Sequence, residues 1–235
     1  MPYFSFYSMD STWLYIVLVL PAFILSLVAQ AKVKSTYSRM AKVKNTSGYT
    51  GAQAAAAVLR HYGIMNVRIE ETNGKLSDHF DPRTNVIRLS REVYYGTSIA
   101  AVGIACHEAG HAAQHAEGYM PIKVRNAIIP VCNIGSYLGL PIAFFGYFLG
   151  FEPLILAGLA LYSLIALFQL ITLPVEFNAS KRALAILEES YFLENNEVKE
   201  AKKVLTAAAL TYVASAILAI AQLLRLILIS RNRRD

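Results

Sequence analysis

The chain has 235 residues, of which 55% are hydrophobic and only 16% are charged. An ordinary soluble domain is nearer half apolar and a quarter charged, so this composition excludes that class and indicates a membrane protein. The net charge is +6, but the basic residues form no patch interleaved with aromatic side chains, which argues against a nucleic-acid-binding protein.

Four apolar stretches are long enough to cross the hydrocarbon core of a membrane as helices, which takes about 20 residues each. The stretches cover 13–31, 127–150, 153–173 and 204–229. They predict a mainly α-helical membrane protein with about four transmembrane helices. The chain divides accordingly into an N-terminal transmembrane anchor (1–31), a long polar segment (32–126), two transmembrane helices (127–173), a second polar segment (174–203), and a C-terminal helix that spans or lies on the membrane, with its basic tail (204–235).

Basic residues crowd the chain immediately after the first apolar stretch, whereas the twelve residues before it contain no lysine or arginine. This stretch therefore lacks the basic region of a cleaved signal and is predicted to stay as an anchor. The basic cluster comprises Lys32, Lys34, Arg39, Lys42 and Lys44. The positive-inside rule places this cluster in the cytoplasm, and segment 174–203, two spans later, on the same side. If the last stretch crosses completely, three arginines at its end lie outside the cell, against the positive-inside rule. They are Arg231, Arg233 and Arg234. Whether this stretch crosses the membrane is therefore left open.

The long polar segment is predicted to contain both helices and strands. Its elements are a helix over 50–63, short strands over 66–70 and 85–90, and a helix over 97–117. Thr50 and Gln53 have the spacing of a capping box, which marks the start of the first helix. Gly118 is a typical end for the second helix. The strand over 85–90 is also expected to be a sheet edge, on which an extended peptide could add as another strand.

The second of these helices carries a metal-binding pattern, HExxH, in His107-Glu108-Ala109-Gly110-His111. Two histidines four residues apart lie on one helical face, one turn apart, and can bind a single zinc ion. The Glu108 carboxylate beside them could accept a proton from the attacking water and return it to the leaving amine. The alternative is that both histidines are core residues satisfied by hydrogen bonds. Gly110 indicates either close backbone packing or neutral variation.

A catalytic zinc site needs three protein ligands and an open position, and the spacing alone does not identify the third ligand. The candidates are His115, Glu117 and Glu176. His115 lies about 12 Å along a straight helix from His107, and Glu117 lies farther still, so neither reaches the same ion easily. Glu176 is predicted to open a new helix after the third apolar stretch, and two intervening spans return it to the same side of the membrane. There its carboxylate could also simply interact with the helix dipole.

Three stretches resemble the membrane zinc metallopeptidases of the YugP type. They cover 78–90, 100–116 and 173–180, with the sequences DHFDPRTNVIRLS, AAVGIACHEAGHAAQHA and LPVEFNAS. The resemblance extends over nearly the whole chain, including the order of the spans. It implies a small zincin-like α+β catalytic core, formed by the two polar segments on a helical membrane base, and one bound zinc ion. It also implies that His107, His111 and Glu176 bind the zinc and that Glu108 is the catalytic base.

The expected function is peptide-bond hydrolysis by a zinc metalloendopeptidase. The protein is expected to be a multi-pass protein in the lipid bilayer of the cell membrane. Its partner would be a peptide or protein substrate, and its catalytic segments would face the cytoplasm. Two other classes stay open. A metal-binding membrane adaptor would be expected to lack Glu108 or a ligand, and a small transporter-like protein would need a polar path, for which the chain offers Asn133, Gln169 and Gln222. Cys106 points about 100° away from the first histidine, and it and Cys132 are expected to be buried, reduced thiols.

Overall fold

The computed structural model describes residues 11–190 and 192–231. Residues 1–10, Tyr191 and 232–235 lie outside this description, and with them Arg233 and Arg234 of the basic tail. The described chain is mostly helical with one small sheet, as predicted. Its helical elements are α1 (Ser11–Leu14), a π-helical stretch (Tyr15–Val19), α2 (Leu20–Met40), α3 (Gly51–His61), α4 (Arg91–Tyr94), α5 (Ile99–Ala116), α6 (Met120–Leu149), α7 (Glu152–Glu189) and α8 (Asn195–Arg231).

Four of the described helices are long and apolar enough to cross a membrane, in agreement with the four predicted stretches. They are Thr12–Met40, Met120–Leu149, Glu152–Glu189 and Asn195–Ser230. Each extends beyond its apolar stretch at one end or both, because lysine, arginine, glutamate and alanine favour helix about as strongly as the neighbouring apolar residues. Hydropathy therefore predicts the number of long helices better than it predicts their ends.

Glu176 does not open a new helix, so that prediction is wrong. It lies in the interior of α7, which passes through Pro174 without interruption. A proline inside a helix removes one backbone hydrogen bond, but neighbouring Val175 is fully buried, and this packing keeps the helix continuous. In the same way α6 contains Pro130 and Pro141. Because Glu176 is far from the start of α7, the helix dipole does not account for its carboxylate.

The sheet has three strands, β1 (Arg68–Thr72), β2 (His79–Asp81) and β3 (Val86–Ser90), in the order β1-β3-β2. β3 pairs in parallel with β1 and antiparallel with β2. The prediction that the strand over 85–90 is a sheet edge is therefore wrong. The physical reason is burial, since four of the five β3 residues are buried, as suits a central strand. The edge strands are β1 and the short β2, and the polar sequence of β2 predicted no strand.

The described chain divides into two units by its internal contacts. Unit 1 comprises 11–29, Val124–Thr172 and 211–231, and unit 2 comprises Gln30–Lys123 and Leu173–Leu210. Unit 2 contains the sheet, α3, α4 and α5, together with parts of other helices. Its apolar core includes Val58, Ile87, Leu89, Val102 and Leu187, all fully buried. The sheet and the histidine-bearing α5 thus belong to one packed unit.

The helix α5 begins and ends where the sequence predicts. Ser98 is its N-cap, and its hydroxyl accepts a hydrogen bond from the Ala101 N–H at 3.1 Å. Gly118 follows the helix with a φ of +68°, the left-handed conformation that favours glycine after a helix. At α3, Thr50 and Gln53 form the predicted reciprocal capping box. Local signals therefore determine the ends of both helices.

Candidate metal centre

Three potential metal-binding side chains, distant in sequence, meet in unit 2. His107 and His111 extend from α5, and Glu176 extends from α7. The Glu176 Oε2 atom lies 3.3 Å from His107 Nε2 and 3.6 Å from His111 Nε2. One ligand atom from each of the three residues lies within 4.8 Å of the others. The structure therefore brings together the three residues that the resemblance implies, as a group that could hold a metal ion.

The chemistry and spacing of these donors fit a zinc ion. Zinc in proteins binds imidazole nitrogens and carboxylate oxygens at about 2.0–2.2 Å in tetrahedral geometry. Two such ligands of one tetrahedral ion are about 3.4 Å apart. The separations of 3.3 Å and 3.6 Å between Glu176 Oε2 and the two histidine nitrogens are close to this value. Three protein donors also leave one tetrahedral position open, as in catalytic rather than structural zinc sites.

A close contact between α5 and α7 places Glu176 beside the histidines. A Cβ atom on Gly110 would lie 2.8 Å from the Ala179 carbonyl oxygen and 3.3 Å from its Cα. Any larger residue at position 110 would therefore push the two helices apart. Ala179 lies less than one turn beyond Glu176. Of the two interpretations of Gly110, close backbone packing is confirmed.

The second ring nitrogen of each histidine has its own hydrogen-bonding partner. His111 Nδ1 lies 3.0 Å from Gln114 Oε1, and His107 Nδ1 lies 3.2 Å from Ser180 Oγ. Partners of this kind orient the imidazole ring of a metal-binding histidine. Because Nδ1 is engaged in both rings, each Nε2 is directed toward the Glu176 carboxylate.

Glu108 is a buried carboxyl group beside the three donors, with only 9% of the residue exposed. Its Oε2 accepts a hydrogen bond from the backbone N–H of Phe80, in β2, at 3.1 Å. Burial raises the pKa of Glu108 to about 7; His107 opposes this shift, and the negative charges of Glu176 and Asp78 add to it. A carboxyl group with a pKa near neutrality is suited to accept and release a proton.

The other candidate ligands have different partners. The His115 ring packs against the Phe80 ring with 5.7 Å between centroids. Glu117 accepts a hydrogen bond from Arg182 at 2.6 Å, and this bond lowers the pKa of Glu117. Neither residue belongs to the three-donor group found among the described residues. Both cysteines are buried and free, as predicted, and burial raises the pKa of the Cys106 thiol to about 12.

Several groups around the donors were missed by sequence reasoning. They are the side chains of Gln114, Asn178 and Ser180 and the backbone N–H of Phe80. Helical spacing could have revealed two of them, because Gln114 lies one turn after His111 and Ser180 lies one turn after Glu176. No sequence pattern indicated the Phe80 N–H, since nearly every residue has a backbone N–H and β2 was not predicted.

Comparisons with known proteins agree with this geometry. Residues 15–231 match the family described as "Putative neutral zinc metallopeptidase". The chain is also 48% identical over 223 residues to the "Putative membrane protease YugP" of Bacillus subtilis (strain 168), a match that covers 94% of this chain and 99% of that protein. No solved structure matches the chain. Because both matches extend over nearly the entire sequence, the resemblance is confirmed, and the chain belongs to this zinc metallopeptidase family.

Proposed function

We propose that this chain is a membrane-embedded zinc metallopeptidase in which His107, His111 and Glu176 hold one zinc ion and Glu108 is the general base. The observation that supports this proposal most strongly is the meeting of three donors from two helices beside a buried carboxyl group. The family description and the name of the Bacillus relative favour the same activity. In this proposal unit 2 is a small zincin-like core.

The proposed chemistry divides between the metal and the chain. A zinc ion held by these donors would lower the pKa of water toward 7 and polarise a peptide carbonyl group. The Glu108 carboxylate would accept the proton of the attacking water and deliver it to the leaving amine. The Phe80 N–H, 3.1 Å from Glu108 Oε2, holds the carboxylate in one orientation. Since burial raises the pKa of Glu108 to about 7, its protonated form is accessible near neutral pH.

The position of β2 supports a peptide as the substrate. β2 is an edge strand of the described sheet, and its Phe80 N–H is directed at Glu108. An extended peptide that added along this edge would bring its backbone close to the Glu108 carboxylate. We therefore place the substrate beside β2, and not beside β3 as the sequence suggested.

The proposal includes a membrane location with both polar segments in the cytoplasm. Four described helices are long and apolar enough to cross a membrane, and the relative is named as a membrane protease. The basic cluster that follows the first span favours the cytoplasmic side. Single cysteines at two exposed positions, Met65→Cys and Glu189→Cys, should both react with an impermeant maleimide from the cytoplasmic face. Reaction from opposite faces would contradict this topology.

The variant Glu108→Gln tests the proposed mechanism. It removes the base but keeps all three donors, so zinc should stay bound while cleavage of casein or a peptide falls by roughly 10²–10⁴-fold. Zinc content and cleavage are measured on the same purified full-length protein. Glu200→Gln is the matched control, because Glu200 pairs with Lys203 and does not belong to the three-donor group, and it should retain both properties.

Three outcomes would contradict the proposal. Substantial cleavage by zinc-loaded Glu108→Gln would show that Glu108 is not the base. A wild-type protein that binds zinc but cleaves no peptide would indicate a metal-binding adaptor. A folded wild-type protein that does not bind zinc would show that the three donors do not form a zinc site.

A further inference from the structure

Gln114 is a fully buried polar side chain next to the donor group. None of its surface is exposed, and its Oε1 atom lies 3.0 Å from His111 Nδ1. Its amide nitrogen donates to the Val175 carbonyl oxygen at 2.8 Å and to Asn178 Oδ1 at 2.9 Å. A buried amide is costly unless its donors and acceptor are satisfied, and here each has a partner.

The orientation of the Gln114 amide is determined by its surroundings. The Val175 carbonyl oxygen can only accept a hydrogen bond, so it must face the Gln114 NH₂ group. Asn178 Oδ1 also accepts from Arg182 Nε at 2.8 Å, and an arginine nitrogen can only donate. If the Gln114 amide were turned over, its oxygen would therefore face two acceptors. The oxygen must point to His111 instead.

This orientation has a consequence for the His111 ring. Gln114 Oε1 can only accept, so His111 Nδ1 must carry a hydrogen and donate it. In neutral imidazole the other nitrogen then has the free lone pair, and in His111 that atom is Nε2, 3.6 Å from Glu176 Oε2. His107 differs, because its partner is the Ser180 hydroxyl, which can donate or accept and so does not select a tautomer.

We propose that Gln114 is a positioning residue that holds His111 in the Nδ1-protonated tautomer and thereby presents Nε2 to the metal. The inference rests on the proposed zinc site. The same amide also bonds Val175 and Asn178, which lie on either side of Glu176 in α7. Gln114 therefore couples the orientation of one donor on α5 to the position of another on α7.

Two substitutions of similar volume separate this role from simple packing. Gln114→Met fills the space but offers His111 no acceptor, so zinc affinity should fall by about 10–100-fold, as for other orienting partners of metal ligands. Gln114→Glu keeps an acceptor oxygen for His111 and, as the neutral acid, one hydrogen for the Val175 carbonyl oxygen or Asn178 Oδ1. It loses the second donated bond, so its zinc affinity should fall by less than about 10-fold. Zinc affinity is measured by competition with a chelator, using the full-length protein in detergent.

The tautomer is measured separately by ¹⁵N NMR of labelled histidines, of which the chain has five. His107→Gln and His111→Gln variants assign the two signals that the test compares. At about pH 9, where free imidazole is neutral, zinc-free wild type and Gln114→Glu should carry the His111 proton on Nδ1. In Gln114→Met the His111 proton should shift toward Nε2, which faces the Glu176 carboxylate, while the His107 signal stays as in wild type.

The outcomes distinguish the inference from the proposed function. A proton on Nε2 of His111 in wild type would overturn the inference, and so would folded Gln114→Met with unchanged zinc affinity. If Gln114→Met does not fold, Gln114→Glu decides, because loss of both zinc affinity and the Nδ1 proton in that folded variant would also overturn the inference. Absence of zinc binding in wild type would instead contradict the proposed function, and the zinc-free tautomer would still be measurable.

Discussion

The two units of the molecule expose their large apolar side chains to different extents. In unit 2 large apolar residues such as Ile87 and Leu187 are fully buried. In unit 1 Leu14 and Val19 are buried, but many large apolar residues are exposed, and Tyr137 and Phe148 are each 79% exposed. The buried positions of unit 1 include the alanines Ala22, Ala29, Ala143 and Ala166. This contrast is expected if lipid surrounds unit 1, because large apolar side chains are as well solvated by lipid as by protein and small ones let helices approach.

The glycines show that close helix packing serves different purposes in the two units. In unit 1, a Cβ atom would lie under 3.0 Å from the backbone of a neighbouring segment at Gly135, Gly139, Gly146 and Gly158. In unit 2, Gly110 makes the same kind of approach to Ala179, but this contact lies beside Glu176. Packing of small residues therefore joins helices in unit 1, whereas at Gly110 it also sets the geometry of the candidate metal site.

Removal of the Glu176 side chain should have the largest effect on zinc content, and it tests whether unit 2 contains a metal site. Glu176→Ala should lose nearly all bound zinc, because two histidines alone leave the ion under-coordinated and easily extracted. His115→Ala should keep zinc, since the His115 ring packs against Phe80. Zinc stoichiometry after dialysis against a weak chelator is the measurement, with folding checked by circular dichroism. Zinc retained by Glu176→Ala but lost by His115→Ala would reverse the assignment.

The variant Gly110→Ala should have an intermediate effect, specific to the metal site. Its Cβ atom would lie 2.8 Å from the Ala179 carbonyl oxygen, so α7 must move by a few tenths of an ångström. Metal–ligand distances tolerate only about 0.2 Å, and zinc affinity should fall by roughly 10–100-fold. Chelator competition measures the change. An unchanged affinity would show that the contact does not control the position of Glu176.

The variant Gly139→Ala is the matched substitution in unit 1 and should have the smallest effect. Its Cβ atom would lie 2.9 Å from the Tyr162 backbone nitrogen, an overlap similar to that at Gly110. Overpacking lowers the free energy of unfolding by about 1–3 kcal/mol, and the higher helix propensity of alanine raises it by about 1 kcal/mol. The free energy of unfolding in detergent should therefore fall by roughly 1 kcal/mol, with zinc affinity unchanged. A fall in zinc affinity equal to that of Gly110→Ala would contradict the distinction between the units.

The confirmed helix ends depend on signals within the helix itself, whereas the two wrong predictions were overruled by packing between segments. The capping box at Thr50 and the end of α5 before Gly118 are confirmed, because each depends on residues within about one helical turn. The edge position of β3 and the start of a helix at Glu176 are wrong. Strand order depends on which segments pair, and a proline ends a helix only where packing does not hold the chain straight.

The sequence alone determined the number of long apolar helices and the placement of His107, Glu108 and His111 within one helical turn or so of each other. These features follow from composition and from the 3.6-residue period of the helix. The resemblance implied Glu176, but only the tertiary structure showed Glu176 beside the two histidines and revealed the orienting contact of Gln114. The physical reason is that residues far apart in the chain meet through the packing of whole helices, here at a glycine in α5, and no local pattern of side chains encodes that contact distance.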